Sequence, residues 1–577
     1  MGKLFSIFGI FTILTLLSCE KQKVNALSAS VRTIEFSSTD GTAKFILETD
    51  APSWKISHQP TSWLSVSPTE GTLEATEITL TAQTNTASSR YDTLTLTAGN
   101  ADPVQVFVHQ PEPQYLYSIT TVPTEINFGQ KSATTSLRIN TNAPAWSILN
   151  SHDWIQLSQS SGTGSSTTIS LTTTDNNSIN MRAGLITIRA DQAKDVNVLI
   201  YQQGKLFPDY NTNPIAPDAS GMTSTAAQLA AKINIGWNIG NTLEAIGGET
   251  AWGNPMITPE LIQLVKQSGF NAIRIPCSWN QHVENTATAK IKLSWLNRVK
   301  QVVQYCVDND LYVVLNIHWD NGWLENNVTI EKKEAVNARQ KAYWEQIATH
   351  LRNFDEHLIF AGANEPNVEN AIQMEVLQTY HQTFIDAVRS TGGRNAYRVL
   401  VVQGPSTDIE KTDDLMHSLP EDQTANRLMM EIHYYTPYQF CLMDSDADWG
   451  KMFYYWGMGF HSTTDPSRNA TWGEEAEMEQ LFSLMKTKFV DKGIPVILGE
   501  FAVIKRTFLT GEALTLHLAS RAHYLNYLTK KAKANGLLPF YWDAGNMGAN
   551  ASALFNRQNN TVFDQQALDA IISGARK

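Results

Sequence analysis

Between residues 235 and 542 the chain alternates between short apolar runs and amphipathic helical stretches. The runs are 235–243, 272–279, 312–319, 358–364, 399–403, 428–435, 495–501 and 537–542. Stretches such as 259–268, 295–309 and 374–390 lie between them and space their apolar residues as helices do. Strands separated by helices lie parallel, with the helices packed outside the sheet. Eight such units within residues 222–577 predict a TIM (β/α)8 barrel with some enlarged loops. A doubly wound open sheet would alternate in the same way. However, no G-x-G-x-x-G or G-x-x-x-x-G-K-[ST] follows any of the runs.

The first two hundred residues carry an internal repeat. Phe36 and Phe128, Trp54 and Trp146, Thr95 and Thr187, and Gln110 and Gln202 all stand 92 positions apart. An offset held across a whole segment means two copies of one domain. Each copy contains short alternating runs bounded by Gly, Asn, Asp and Ser, which predicts two Ig-like β-sandwich modules at 27–111 and 115–203. Trp54 and Trp63, with Trp146 and Trp154, are core residues or a sugar-stacking platform. The core reading is favoured, because Trp54 and Trp146 each open an alternating W-x-I run. Residues 204–221 are rich in Pro, Asn, Asp and Gly, and predict a linker.

The N-terminus reads as a targeting segment. Lys3 precedes a mostly apolar stretch, 4–17, that is too short to span a bilayer and fits a secretory signal. It ends in Leu16-Leu17-Ser18-Cys19, which resembles a bacterial lipobox; the resemblance implies a lipoprotein signal segment at 1–19, with cleavage before Cys19 and lipid attachment on it. The net charge of -12, with no long Lys/Arg block, argues against a nucleic-acid partner. Cys277, Cys306 and Cys441 are too few and too scattered for a disulfide framework, and read as buried thiols, with one bridge left open.

In a barrel, chemistry collects at the C-terminal ends of the strands. Those ends hold Arg274, His318, Asn364-Glu365-Pro366, His433 with Tyr435, Glu500 and Trp542. Packing gives no reason to gather such groups there, since buried charge is costly unless paired. Two carboxylates facing one another suit glycoside cleavage, and at about 5 Å apart they give retention. Runs four and seven stand on opposite sides of an eight-stranded barrel, so Glu365 and Glu500 can meet across its mouth. Arg274 is expected to hold Glu500 ionised as nucleophile, while Glu365 needs a raised pKa to serve as acid/base. Asn364 is placed for the sugar 2-OH, and Trp542 for an aromatic floor. Strand alternation puts 433 and 435 on one face, which selects Tyr435 over Tyr434. Trp237, Trp319 and Trp323 either line sugar subsites or pack under loops. No H-x-H or H-E-x-x-H occurs, so no metal and no cofactor are expected.

This constellation resembles glycoside hydrolase family 5 across the whole barrel. Gly236-Trp237-Asn238-Ile239-Gly240-Asn241-Thr242-Leu243-Glu244, followed by Trp252-Gly253-Asn254-Pro255, looks like its endo-β-1,4-glucanase and xyloglucanase branches. Where some relatives carry a second His, this chain has Trp319. The repeats, with their Ala-Pro-x-Trp turns and closing Val-x-Val-x-x-x-Gln, resemble the BACON modules that precede glycanases in Bacteroidetes lipoproteins. The resemblance implies a retaining endo-acting enzyme on a β-1,4-glucan: cellulose, xyloglucan or mixed-linkage glucan. A β-1,4-mannanase and a non-catalytic glycan-binding lipoprotein stay open as alternatives. The expectations extend to a secreted, lipid-anchored monomer at the outer membrane or cell surface.

Overall fold

A computed structural model describes residues 23–72 and 74–576, so Cys19 and its leader lie outside the described residues. The chain divides into two units that change over at Gln203 and Gly204.

Within the first unit, each repeat folds as two sheets. The first repeat has a four-stranded sheet of Leu27–Ala29, Gly41–Thr49, Ala75–Ala82 and Leu64–Ser67, in that order. Its five-stranded sheet orders Thr33–Glu35, Val104–Gln110, Arg90–Ala98, Trp54–Ser57 and Glu70–Gly71. The second repeat reproduces both orders. Buried and exposed residues alternate along the strands, as in Val104–Gln110, so one face of each sheet feeds the core. All four tryptophans belong to these cores. Gly71 and Gly162 lie flat on the indoles of Trp54 and Trp146, where a Cβ would stand 2.6 and 2.5 Å from a ring carbon. Arg90 and Arg182 cover Trp63 and Trp154, with guanidinium carbons 4.7 and 4.4 Å from the ring centroids. The rings fill the cores of small sandwiches.

In the second unit, eight parallel strands close a barrel: β1 (Gly236–Ile239), β2 (Ala272–Ile275), β3 (Tyr312–Asn316), β4 (Leu358–Ala361), β5 (Leu400–Gln403), β6 (Leu428–His433), β7 (Val496–Phe501) and β8 (Leu537–Asp543). Each falls inside one of the eight apolar runs, β8 running one residue past the last of them. Both faces of every strand are covered, which is why the sequence shows continuous apolar runs there. Ile273, Val313, Phe360, Val402, Ile432 and Leu498 point outward to the helices. Ala272, Val314, Ile359, Val401, Met429, Ile497 and Phe540 point inward as an apolar plug. Gly236 makes room for Phe540, since a Cβ there would stand 2.0 Å from its ring. The bottom of the plug is closed by Ala226 and Leu229 of helix Ala226–Lys232, started by a Thr225–Gln228 capping box.

The composition of 204–221 predicts a linker, but part of this stretch is tied to the barrel. The backbone N–H groups of Tyr210 and Asn211 donate to Glu345 at 2.7 and 3.1 Å. The Tyr210 hydroxyl donates to the Thr288 carbonyl at 2.7 Å. Irregular backbone is fixed here by a carboxylate on a barrel helix, a partner that composition does not reveal. Cys277, Cys306 and Cys441 are separate buried thiols.

Candidate active site

Above the apolar plug the inward positions turn polar. Two residues on from Gly236, Ala272, Val314, Val401, Met429 and Ile497 stand Asn238, Arg274, Asn316, Gln403, Glu431 and Gly499. Alternation along β2 thus makes Arg274 inward and fully buried. A guanidinium with no solvent needs full pairing. Arg274 Nη1 donates to Glu500 Oε1 at 2.8 Å and to Asn238 Oδ1 at 3.1 Å. Nη2 donates to Asn364 Oδ1 at 2.7 Å, and Nε stands 2.8 Å from Glu431 Oε1.

Simple alternation would aim Glu500 outward, because Ile497 and Gly499 are inward. The register between β7 and both neighbours slips at this point, pairing His433 with Glu500 and Phe501 with Tyr541. The extra residue is a β-bulge, and it turns the Glu500 carboxylate into the barrel mouth. Gly499 permits this: a Cβ there would stand 2.0 Å from Glu431 Oε1. The Tyr435 hydroxyl donates to Glu500 Oε2 at 2.9 Å, whereas Tyr434 packs on Phe482.

Glu365 lies beyond the end of β4, and its side chain is 43% exposed. Its Oε1 stands 2.6 Å from His433 Nδ1. Carboxylate oxygens of Glu365 and Glu500 lie within 4.8 Å of one another, with a His433 ring nitrogen inside the same limit. That spacing would also suit a metal's ligands, but here the positive charge on these carboxylates comes from Arg274 and His433.

His433 is pushed up to about 10: burial opposes its charge, but Glu500 and its bonds to Glu365 and Glu431 outweigh that. At Glu365, burial pushes up and the His433 hydrogen bond pulls down, with a net displacement downward. At Glu500, burial raises the carboxyl against the pull of His433 and Arg274. The sequence predicts the reverse order. His433 bonds Glu365 directly, while Glu500 is the more deeply buried. A proton is therefore shared between Glu365 and His433, and these groups titrate as one system.

His318 is displaced well below its ordinary range, by burial and then by Arg274 and His433, so the ring is neutral. Its Nδ1 faces the Asn316 amide at 3.2 Å, which leaves Nε2–H to donate. The ring stacks on Trp542 at 5.5 Å between centroids. These residues border a cavity of about 310 Å³ together with Asn241, Glu244, Trp252, Trp319, Glu325, Asn364 and Glu365. Trp319 is 43% exposed, whereas Trp237 and Trp323 are buried. Trp319, Asp320 and Asn321 all have left-handed backbones, with φ of 26°, 52° and 64°. The Asp320 carboxylate takes the N–H groups of Trp279 and Asn280 at 2.7 and 2.5 Å, and so holds this strained turn.

The eight site residues inferred from the sequence converge. Absent from that set are Glu431, Asn238 and Gln403, which form the polar floor, and Glu244 and Glu325, which sit on loops. The inward alternation of β6 was the signal for Glu431, and Glu244 closes the opening motif quoted from the sequence; Glu325 left none.

Residues 238–548, more than half of the chain, match the family described as cellulase (glycosyl hydrolase family 5). The chain belongs to glycosyl hydrolase family 5. Residues 53–110 and 145–203 match BACON, described as a putative N-terminal binding domain. Among family 5 relatives, the xyloglucan-specific endo-β-1,4-glucanase of Bacteroides ovatus is 36% identical over 455 residues, 76% of this chain and 87% of that protein. A solved Bacteroides ovatus family 5 xyloglucanase with an XXXG heptasaccharide superposes with a TM-score of 0.59 at 33% identity, covering 79% of this chain and 99% of that one. A family 5 xyloglucan-specific β-1,4-glucanase from a ruminal metagenomic library, in complex with XXLG, gives 0.57 at 39% identity, covering 61% and 96%.

Proposed function

We propose that this family 5 enzyme cleaves the β-1,4-linked backbone of xyloglucan and related β-glucans internally, with Glu500 as nucleophile and Glu365 as acid/base. The observation that carries the reading is the approach of the two carboxylates to within 4.8 Å, each with its own cationic partner. A spacing near 5 Å suits double displacement and leaves too little room for the water of an inverting mechanism.

A sugar lying over Glu365 buries its exposed half, which penalises its charge and draws the shared proton from His433. Glu500 attacks the anomeric carbon as that proton passes to the leaving oxygen, so the glycosidic bond breaks while the ester bond forms. Water then gives its proton to Glu365 and attacks the same carbon, and Glu500 leaves as carboxylate. Arg274 and Tyr435 hold Glu500 aimed throughout. His318 Nε2–H and Asn364 serve the sugar hydroxyls, and Trp542 forms the floor of the subsite.

Xyloglucan stands first among substrates because relatives with that specificity match 76–79% of this chain, which is more than the barrel alone. The mannanase reading is supported only by the shared catalytic set. The non-catalytic reading gives no reason for the matched carboxylate pair. Reducing-sugar release on xyloglucan, mixed-linkage glucan, carboxymethyl cellulose, glucomannan and galactomannan tests the proposal. Release from xyloglucan, abolished by Glu500→Ala, is expected; retention on a glycan gel without release would sink it.

The proposal includes domains at 27–111, 115–203 and 222–577, and a monomer anchored by lipid on Cys19 at the outer membrane or cell surface. The lipid anchor is supported by the Leu-Leu-Ser-Cys motif. Labelled palmitate should be incorporated in a bacterial host and lost in Cys19→Ala.

A further inference from the structure

We infer that Glu325 is a positioning residue for the acid/base, acting on Glu365 through the backbone that carries it. The inference rests on the assignment of Glu365 above. Strand β4 ends at Ala361, so Glu365 stands four residues beyond the strand, on a loop at the cleft. Proton transfer needs its carboxyl held to a fraction of an ångström, and an unsupported loop does not do that.

Two backbone N–H groups flank Pro366, which has none of its own. Both end on Glu325. The Glu365 N–H donates to Glu325 Oε1 at 2.9 Å. The Asn367 N–H donates to the Glu325 carbonyl oxygen at 3.0 Å. The neighbouring side chains add a third stitch, Asn367 Nδ2 to Asn326 Oδ1 at 2.6 Å. The turn Glu325–Asn327 is itself fixed. The Tyr380 hydroxyl, from helix Ala371–Ser390, donates to the Asn327 carbonyl at 2.8 Å, and Asn327 Nδ2 reaches the Gly322 carbonyl at 3.2 Å. One residue therefore clamps the acid/base loop on both sides of its proline.

Glu325 also acts by charge. The charged groups that face it are Glu365 and Glu500, while Arg274 and His433 are engaged with those two carboxylates. Burial pushes the Glu325 carboxyl up to about 7, against its bond from the Glu365 N–H. Once ionised, it raises the proton affinity of Glu365 and keeps the acid loaded to higher pH. A contact that merely stabilised the fold would show no dependence on the leaving group.

The test measures kcat/KM on two aryl β-cello-oligosaccharides that differ in their leaving group. Phenol needs protonation to leave, and 2,4-dinitrophenol does not. Glu325→Ala should lose roughly tenfold or more on the phenyl substrate, with little change on the dinitrophenyl one. Glu325→Gln keeps an acceptor for the Glu365 N–H but not the charge, so its basic pH limb should move to lower pH. This second variant carries the test if the alanine form does not fold. Equal losses on both leaving groups, no loss on either, or an unmoved basic limb in Glu325→Gln would overturn the inference. Glu365→Ala is the control: it should spare only the dinitrophenyl substrate. Equal losses in that control would instead remove the acid/base assignment itself.

Discussion

His433 Nδ1 stands 2.6 Å from Oε1 of Glu365, while the other ring nitrogen lies 3.3 Å from Glu431. The ring joins Glu365 to a carboxylate on the barrel floor that also pairs with Arg274. Glu500, Glu365 and the floor thus belong to one charge network.

Removing the ring should move the acidic limb of the pH profile. Protonated His433 lowers the proton affinity of both Glu365 and Glu500. Without it Glu500 ionises at higher pH, so His433→Asn should shift the acidic limb of kcat/KM upward by about one unit. A pH–rate series on xyloglucan reads this, and an unmoved limb would separate His433 from the network.

Arg274→Met should destabilise the protein as well as inactivate it. It strands Glu431 and Glu500 inside the barrel, and breaking a buried pair from one side costs roughly 3–5 kcal/mol. Urea unfolding should show a lower midpoint. A midpoint equal to wild type would mean that the two carboxylates simply take up protons.

Gly499→Ala tests the bulge. A methyl group would meet Glu431 and push either it or Glu500 aside. Activity should fall about a hundredfold, the scale of a misplaced reacting group, with most of the stability kept. Full activity would show that the bulge does not aim Glu500.

Glu244 gives a pH-dependent stability. Burial raises its carboxyl to about 7, against N–H bonds from its own turn. A folded-state pKa above the unfolded value favours the fold below about 4.5, and that contribution is lost as pH climbs through 7. The displacement is worth up to ~3 kcal/mol. Wild type should lose more stability than Glu244→Gln between pH 4.5 and 7.5 in parallel urea titrations; equal losses would contradict this.

The barrel was legible because its strands are buried on both faces and so stand out as apolar runs. The site was legible where function sits at strand ends, as with Arg274 and His433. Three things were not. Glu431 hides within a strand, with only its inward parity to mark it. The turn of Glu500 depends on a bulge, which shifts parity without changing composition. Glu325 and Glu244 act from loops, where spacing carries no geometry. Among the ambiguous tryptophans, Trp319 is exposed on a strained turn held by Asp320, whereas Trp237 and Trp323 are buried.

The most direct test of the central claim is to trap the covalent intermediate. The enzyme is incubated with an activated 2-deoxy-2-fluoro cello-oligosaccharide, digested, and sequenced by mass spectrometry. One glycosyl group per chain on the peptide containing Glu500 is expected, with the label absent from Glu500→Ala. A label on Glu365 or elsewhere, or an inverted product with no adduct at all, would contradict the account.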